Sequence, residues 1–171
     1  MDLTVTILIG AIVLLIAASI FYISFNGKSK TSSPVESNSN NNSTRQMQLA
    51  AYERLILLVD RIALPNLISR LNQPGASAKE MQLILTQNLK QEFDYNITQQ
   101  IYVSADSWNA VKNLKEQNQL VINQIANALP PHATGMDLNK LLLEYLMNDK
   151  KGSLHEVVSE VLSYEAKKLL V

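Results

Sequence analysis

The chain has 171 residues, enough for one domain with appendages. Its 15 Lys and Arg balance 15 Asp and Glu, so it lacks the excess of positive charge that binds a phosphate backbone, and we expect no nucleic-acid partner. The absence of cysteine excludes disulfides, thiol nucleophiles and thiolate zinc sites, and it is compatible with a reducing compartment.

The strongest hydrophobic signal lies in residues 3–25, which read LTVTILIGAIVLLIAASIFYISF without a charged side chain. At about 1.5 Å per residue, a helix of this length crosses a hydrocarbon core of about 30 Å and satisfies its own backbone in lipid. The sequence therefore predicts one transmembrane helix over residues 1–25. A cleaved signal peptide is the alternative, which the presence of Asp2 and the lack of Lys or Arg before the apolar run disfavour.

The charges around this segment predict its orientation. Lys28, Lys30 and Arg45 follow it, whereas Asp2 and the chain amine precede it. Under the positive-inside rule, this asymmetry places the C-terminal part of the chain in the cytoplasm.

A polar stretch follows the apolar segment. Residues 26–45 read NGKSKTSSPVESNSNNNSTR, in which Val35 is the one aliphatic side chain. Such a stretch buries too little apolar surface to offset the entropy of ordering it. We therefore predict a disordered Asn/Ser-rich linker over residues 26–45.

Residues 46–171 show the apolar periodicity of short amphipathic helices separated by Pro and Gly. The first helix is predicted from Gln46 through Ile62, with a break or kink at Pro65. Its apolar face is formed by Ala51, Tyr52, Leu55, Ile56, Leu58, Val59 and Ile62. The sequence NQPG at residues 72–75 predicts a turn.

A capping box, Ser77-Ala78-Lys79-Glu80, opens the second predicted helix, because its hydroxyl and its carboxylate can each accept from a free backbone N–H. Apolar residues then recur every four positions, at Met81, Leu85, Leu89, Phe93 and Ile97. Residues 96–103 are rich in β-branched and aromatic side chains, so helix, loop and short strand all stay open there.

Three further helices complete the pattern. Ser104 is expected to cap one that runs to Leu129, Asp137 to cap the next, and SLHE at residues 153–156 forms a capping box for the last. The inward positions are Trp108, Val111, Leu114, Val121, Ile125 and Ala128, then Leu138, Leu141, Leu142, Tyr145 and Leu146, then Leu154, Val158, Val161, Leu162 and Leu169. The predicted fold class is all-α: one N-terminal transmembrane helix plus an irregular bundle of four to five short helices, forming a soluble domain over residues 46–171.

A candidate partner surface lies in the segment QEFDYNITQQIYVS, residues 91–104. If this segment stays helical, four side chains fall on one flank: Glu92, Tyr95, Asn96 and Gln99. Such a polar-aromatic stripe can bind a partner or a small ligand. The alternative is structural, with these side chains hydrogen-bonded to neighbouring helix ends or buried amides.

No catalytic, cofactor-binding or metal-binding site is predicted. His132 and His155 lack further ligands at a recognisable spacing and are expected to be solvated surface side chains. The five glycines are isolated and form no phosphate-binding loop, and no nucleophile elbow is present. We expect a protein that is not an enzyme, with an enzyme of unfamiliar site as the lesser alternative.

Three segments carry a resemblance to a known family: AYERLILLVDRIALPNLISRL, QEFDYNITQQIYVSADSWNAVKNLKEQ and ATGMDLNKLLLEYL. The chain resembles, over most of residues 50–148, an uncharacterised bacterial family of small membrane-anchored helical proteins with no assigned function. The resemblance implies a bacterial inner-membrane setting. It brings no catalytic or binding residues to carry over.

The leading functional hypothesis is a membrane-tethered interaction or regulatory module, integral through one span, whose domain docks a protein partner. The tether raises the effective concentration of that domain at the membrane. The alternative is a binding domain for a small apolar or lipid-like ligand. A cavity lined by apolar side chains would favour the alternative, whereas a solid core would favour docking.

Overall fold

The computed structural model describes residues 35–148 and 154–170. In these ranges the chain is helical, with one isolated β-bridge and no strand. The elements in chain order are α1 (Val35–Ile62), α2 (Leu64–Leu71), α3 (Ala78–Tyr95), a 3₁₀-helix (Ile97–Ile101), α4 (Ala105–Ala128), α5 (Gly135–Asn148) and α6 (Leu154–Lys168). The all-α prediction is confirmed for this part of the chain. Its α-helices number six rather than four to five, because the break near Pro65 leaves α2 as a helix of its own.

The N-terminal part of the chain requires one correction. The chain divides into compact units of residues 1–41 and 42–171, and the core lies in the second. The predicted transmembrane helix over residues 1–25, and residues 26–34 of the predicted linker, lie outside the described residues. Residues 35–45, also predicted as linker, are helical as the first turns of α1. Extending a helix costs much less than nucleating one, so a helix nucleated by an apolar face can continue into polar sequence.

No helix within residues 35–148 and 154–170 combines the length and the apolar character needed to cross a membrane.

The predicted break at Pro65 is confirmed. α1 ends at Ile62, and Pro65 lies in the first turn of α2, where its missing N–H leaves no helical hydrogen bond unmade. The predicted apolar face of α1 is buried apart from Ile56, which is half-buried. At the break, the side-chain N–H of Asn118 in α4 donates to the backbone carbonyl of Ile62 at 2.8 Å, in a buried position. This bond satisfies a carbonyl at a helix end that would otherwise be costly to bury.

Capping boxes begin both α3 and α5. The Ser77 hydroxyl accepts from the Glu80 N–H at 3.2 Å, and the Glu80 carboxylate accepts from the Ser77 N–H at 2.8 Å, as predicted. At α5 the prediction was wrong: Asp137 is not the cap. The N-terminal cap of α5 is Thr134, whose hydroxyl accepts from the Asp137 N–H at 3.2 Å. In return, the Asp137 carboxylate accepts from the Thr134 N–H at 2.9 Å. A Thr followed by an acid three residues later forms the same reciprocal pair as SAKE.

These two caps are joined by backbone hydrogen bonds, and we call segments 76–78 and 133–135 the paired caps. The Ala78 N–H donates to the Ala133 carbonyl at 2.9 Å, and the Gly135 N–H donates to the Ala76 carbonyl at 2.7 Å. These two bonds form the isolated β-bridge between Ser77 and Thr134. It places the N-termini of α3 and α5 side by side although they are far apart in sequence.

The core is formed by the inward faces of all six helices. Met81, Leu85, Leu89 and Phe93 of α3 are buried as predicted, but Ile97 is exposed because α3 ends at Tyr95 and the chain continues as the 3₁₀-helix. Three other positions predicted to face inward are also exposed: Ala128, Leu141 and Val161. Ala128 is the last residue of α4, and the other two lie at the edges of apolar faces that are narrower than predicted. The predicted capping box at residues 153–156 begins outside the described residues.

The entry to α4 is predicted correctly. Ser104 caps the helix by accepting from the Ser107 N–H at 3.2 Å, and its own N–H donates to the Tyr52 hydroxyl of α1 at 3.2 Å. Trp108 is half-buried rather than fully in the core, with its ring centroid 5.1 Å from that of Phe93. The chain has one tryptophan, so its fluorescence reports on packing of the helical domain.

We expect Gly135→Ala to destabilise the domain. A Cβ at this position would lie 3.1 Å from the Ala76 carbonyl oxygen, which accepts from the Gly135 N–H, and 3.1 Å from Met81 Cβ. Helix propensity alone predicts the opposite sign, a gain of roughly 0.5–1 kcal/mol, whereas overpacking costs about 1–3 kcal/mol. Unfolding of the full chain followed by Trp108 fluorescence distinguishes the two, with Met136→Ala at the exposed next position as control. A Gly135→Ala variant that is more stable than wild type would show that the neighbouring atoms of Ala76 and Met81 can move to admit a Cβ at little cost.

Candidate functional site

A groove of about 420 Å³ runs between α1 and α3, and we call it the α1/α3 groove. Its walls come from one side of each helix, four residues of α1 and the C-terminal part of α3. The lining residues are Arg54, Leu57, Leu58, Arg61, Asn88, Gln91, Glu92, Tyr95 and Asn96. Three of the four predicted partner-surface residues are therefore brought together here.

Glu92 connects three helices at the floor of this groove. Arg61 of α1 donates to both carboxylate oxygens, from Nε at 2.8 Å and from Nη2 at 2.5 Å. Arg70 of α2 donates to the same carboxylate at 3.4 Å and to the Asn88 side chain at 2.8 Å. The Glu92 side chain is 14% exposed, so its charge is largely withdrawn from water and neutralised by two guanidinium groups. A two-point pair of this kind fixes geometry as well as charge.

This pairing shifts both pKa values. The hydrogen bonds from Arg61 hold the pKa of the Glu92 carboxyl below its ordinary value of 4.5, outweighing the opposite effect of burial. The hydrogen bond from Glu92 raises the pKa of Arg61 further above its ordinary value. Both groups are therefore charged across the physiological range, so the ion pair between them persists there.

Tyr95 forms the exposed edge of the groove. Its side chain is 74% exposed, at the last residue of α3. The Arg54 guanidinium lies over its ring, with the Cζ atom 5.7 Å from the ring centroid. Leu57, one turn from both Arg54 and Arg61 on α1, is also exposed. An aromatic ring, an aliphatic side chain and a guanidinium thus meet on one accessible face.

The other two predicted residues differ from Tyr95. Asn96 is buried and its side-chain N–H donates to the Glu92 carbonyl at 2.9 Å, so it closes the end of α3. Gln99 does not line the groove, because the helix gives way to the 3₁₀-helix at Ile97 and the phase of the flank changes. Asn96 thus bonds the end of its own helix, whereas Glu92 pairs with arginine side chains rather than with helix ends or buried amides. Tyr95 is exposed.

The sequence pattern did not predict Arg54, Leu57 or Arg61 as residues of this site. Leu57 carried a usable signal, since it is an apolar residue outside the apolar face of α1. The arginines carried none, because their relation to residues of α3 depends on how two distant segments pack.

One enclosed cavity between the helices is small. A cavity of about 10 Å³, room for about one water molecule, lies among side chains of α2, α4, α5 and α6 and is lined in part by half-buried His155. His132 is exposed near the start of α5. Among the described residues, no three His, Cys, Asp or Glu side chains are grouped so as to hold a metal ion.

The model of the family of unknown function DUF7935 matches residues 1–169. The chain belongs to this family. No curated protein and no solved structure matches it. Membership of DUF7935 agrees with the resemblance to a family without assigned function, whereas the bacterial origin and the membrane anchor of this member stay predictions.

For this DUF7935 member, we expect Glu92→Gln to lower the free energy of unfolding at pH 7 by about 1 kcal/mol, since Arg61 is half exposed and its ion pair is partly screened. The folded-state pKa lies below the unfolded value of about 4.5, so this contribution is present above that pH and is lost as the pH falls through the folded pKa. The free energies of unfolding of wild type and variant, measured by denaturant unfolding, should therefore become equal at low pH.

The matched control is Glu116→Gln, whose carboxylate lies 4.0 Å from Lys112 in an exposed pair one helical turn apart. Its stability should equal that of wild type at both pH values. A Glu92→Gln variant that matched wild type at pH 7 would show that the three-helix contact contributes no stability.

Proposed function

We propose that this chain is a membrane-tethered docking module that is not itself an enzyme. In this proposal residues 1–25 form a single transmembrane anchor in a bacterial inner membrane, and the helical domain faces the cytoplasm. The α1/α3 groove then binds a protein partner. The observation that carries the proposal is the exposure of Tyr95 and Leu57 on a face whose floor is fixed by Glu92 and its two arginines.

The composition of this face supports protein recognition. Tyrosine and arginine are the residue types that most often dominate the energy of interfaces, and Tyr95 with Arg54 supplies both in contact. The floor is already ordered, because Glu92 ties α3 to α1 and α2. Binding to an ordered surface loses less conformational entropy, so a small contact area can suffice.

The charge of the groove indicates the class of partner. Glu92 uses Arg61 and Arg70, whereas no ion pair joins Arg54 to any residue that the structure describes. A partner segment with an apolar side chain for Leu57 and Tyr95, and a carboxylate for Arg54, would complement this face. The partner is therefore proposed to be an acidic-apolar peptide segment of a protein.

The ligand-binding alternative receives less support. A small-molecule site usually encloses about 300–1,000 Å³, whereas the cavity among the helices has about 10 Å³. The α1/α3 groove and a second groove of about 500 Å³, lined by residues of α2 and α5, have enough volume, but both are open to solvent rather than enclosed. A tethered surface also gains effective concentration at the membrane, which favours docking of weak partners.

The docking proposal predicts that Tyr95→Ala together with Leu57→Ser leaves stability unchanged but abolishes partner capture. Both side chains are exposed, so each substitution should change the free energy of unfolding by at most about 0.5 kcal/mol. The melting temperature should therefore stay within a few degrees of wild type. The full chain is purified from its own membrane, and co-purifying proteins are identified by mass spectrometry.

Tyr164→Ala together with Leu120→Ser is the matched control, because it removes the same residue types at exposed positions of α6 and α4. Arg54→Gln tests the charge and should weaken capture on its own. Retention of every co-purifying protein by the Tyr95 and Leu57 variant would overturn the proposal, as would a fall of many degrees in its melting temperature.

Orientation is tested by fusions to the C-terminus. With Lys28, Lys30 and Arg45 on the retained side, a fluorescent protein fused after Val171 should glow, and an alkaline phosphatase fused there should be inactive. An active phosphatase fusion would place the helical domain outside the cytoplasm. Recovery of the full chain in a soluble fraction would contradict the anchor itself.

A further inference from the structure

Helix α5 is apolar on two opposite faces. Its inward residues Leu138 and Leu142 are fully buried in the core. On the outward face, Met136, Leu143 and Met147 are 72%, 39% and 86% exposed. Exposed apolar side chains that recur along one face of a helix often mark an interaction surface.

The outward residues form one stripe beside α2. Met136, Lys140, Leu143 and Met147 follow one another at steps of four, three and four, and we call them the α5 stripe. Together with Ile68, Ser69 and Asn72 they line a groove of about 500 Å³ between α2 and α5. Alternating steps of four and three place side chains along one seam, the arrangement by which two helices pack in a coiled coil.

The spacing of the α5 stripe reads the same in both directions. In an antiparallel pair of two such helices, Met136 of one copy therefore lies opposite Met147 of the other, and Lys140 lies opposite Leu143. Met136 and Met147 therefore meet across one two-fold axis, and the methylene groups of Lys140 pack on Leu143 of the other copy, which makes the face self-complementary. Each copy of α5 would also occupy the groove beside the α2 of the other copy.

Charge selects this orientation over the parallel one. Lys140 and Glu144 lie 3.8 Å apart within α5, with side chains that are both exposed. Antiparallel pairing brings Lys140 beside Glu144 of the second copy, twice per dimer by symmetry. Parallel pairing would instead place the two Lys140 side chains against each other, and like charges across a seam are destabilising.

We propose that a second copy of this chain covers the α2/α5 groove, forming an antiparallel, two-fold symmetric dimer through the α5 stripe. The contact is small: fourteen residues of α5 span roughly 21 Å, and a stable interface usually needs about 800 Å² from each partner. The dimer is therefore weak and depends on local protein concentration. It uses a different face from the α1/α3 groove, since the two grooves share no lining residue.

Cysteine cross-linking of the full chain tests both the contact and its direction. The natural chain has no cysteine, so each variant carries a single thiol. Met136→Cys and Met147→Cys are exposed positions about 16 Å apart along the helix, whereas a disulfide spans about 4.4–6.8 Å between Cα atoms. Under a mild oxidant, a mixture of the two variants should cross-link strongly, and either variant alone should cross-link little.

Other results would overturn the proposal. If Met136→Cys cross-linked with itself as strongly as in the mixture with Met147→Cys, the two helices would pair in parallel. If Leu120→Cys on α4 cross-linked as strongly as that mixture, the cross-links would come from random collision. A cross-link from Met136→Cys to a different protein in the membrane, without one between copies, would assign the groove to that protein. If no mixture gave a cross-link, the α5 stripe would not form the proposed dimer.

The salt bridge between copies has its own test. Lys140→Glu alone and Glu144→Lys alone should each weaken dimerisation by roughly tenfold, and the double change should restore it, because opposite charges face each other again. The measurement is the sedimentation-derived dissociation constant of the full chain in detergent. A double variant that dimerised as weakly as the single variants would contradict the antiparallel arrangement. Partner capture through Tyr95 is unaffected by these changes, so failure here leaves the proposed function standing.

Discussion

The backbone bridge between the paired caps is the constraint on which the arrangement of the bundle depends. Two hydrogen bonds, from Ala78 to Ala133 and from Gly135 to Ala76, place the starts of α3 and α5 in contact. A Cβ at position 135 would lie 3.1 Å from the Ala76 carbonyl oxygen and from Met81 Cβ, so these neighbours would have to shift to admit one. Once these two ends are fixed, the inward leucines of α5 enter the core beside α3, and the opposite face of α5 must point outward.

Glu92 has a comparable role for the α1/α3 groove. A carboxylate that is 14% exposed would be costly if it were alone, but here Arg61 and Arg70 neutralise it and supply its hydrogen bonds. Two guanidinium groups face one carboxylate, so the floor keeps a net positive charge, and Arg54 at the rim adds to it. Specificity would then come from Tyr95, Leu57 and Arg54 together.

Local signals predicted most of the fold, and distant contacts decided the rest. The SAKE box, the break at Pro65 and the serine before α4 were predicted correctly, because each depends on residues within one turn. Asp137 was misassigned although Thr134, three residues before it, offers the same local signal as the serine of SAKE. The reciprocal bonds between Thr134 and Asp137, together with the bridge to residues 76–78, show that Thr134 is the cap. Arg61 and Arg70 could not be related to Glu92 in advance, since no sequence period joins positions that are 31 and 22 residues apart.

The break at Pro65 accounts for both grooves. If α1 continued without interruption, residues 64–71 would extend along its axis, away from α3. Because the chain turns at Ala63, Arg70 of α2 returns to Glu92 and Asn88 of α3. The same turn brings Ile68 and Asn72 beside α5, where Asn139 donates to the Asn72 side chain at 3.1 Å. One short helix thus rigidifies the floor of the first groove and forms a wall of the second. Movement of α2 would alter both, so the two faces share a structural support although they share no lining residue.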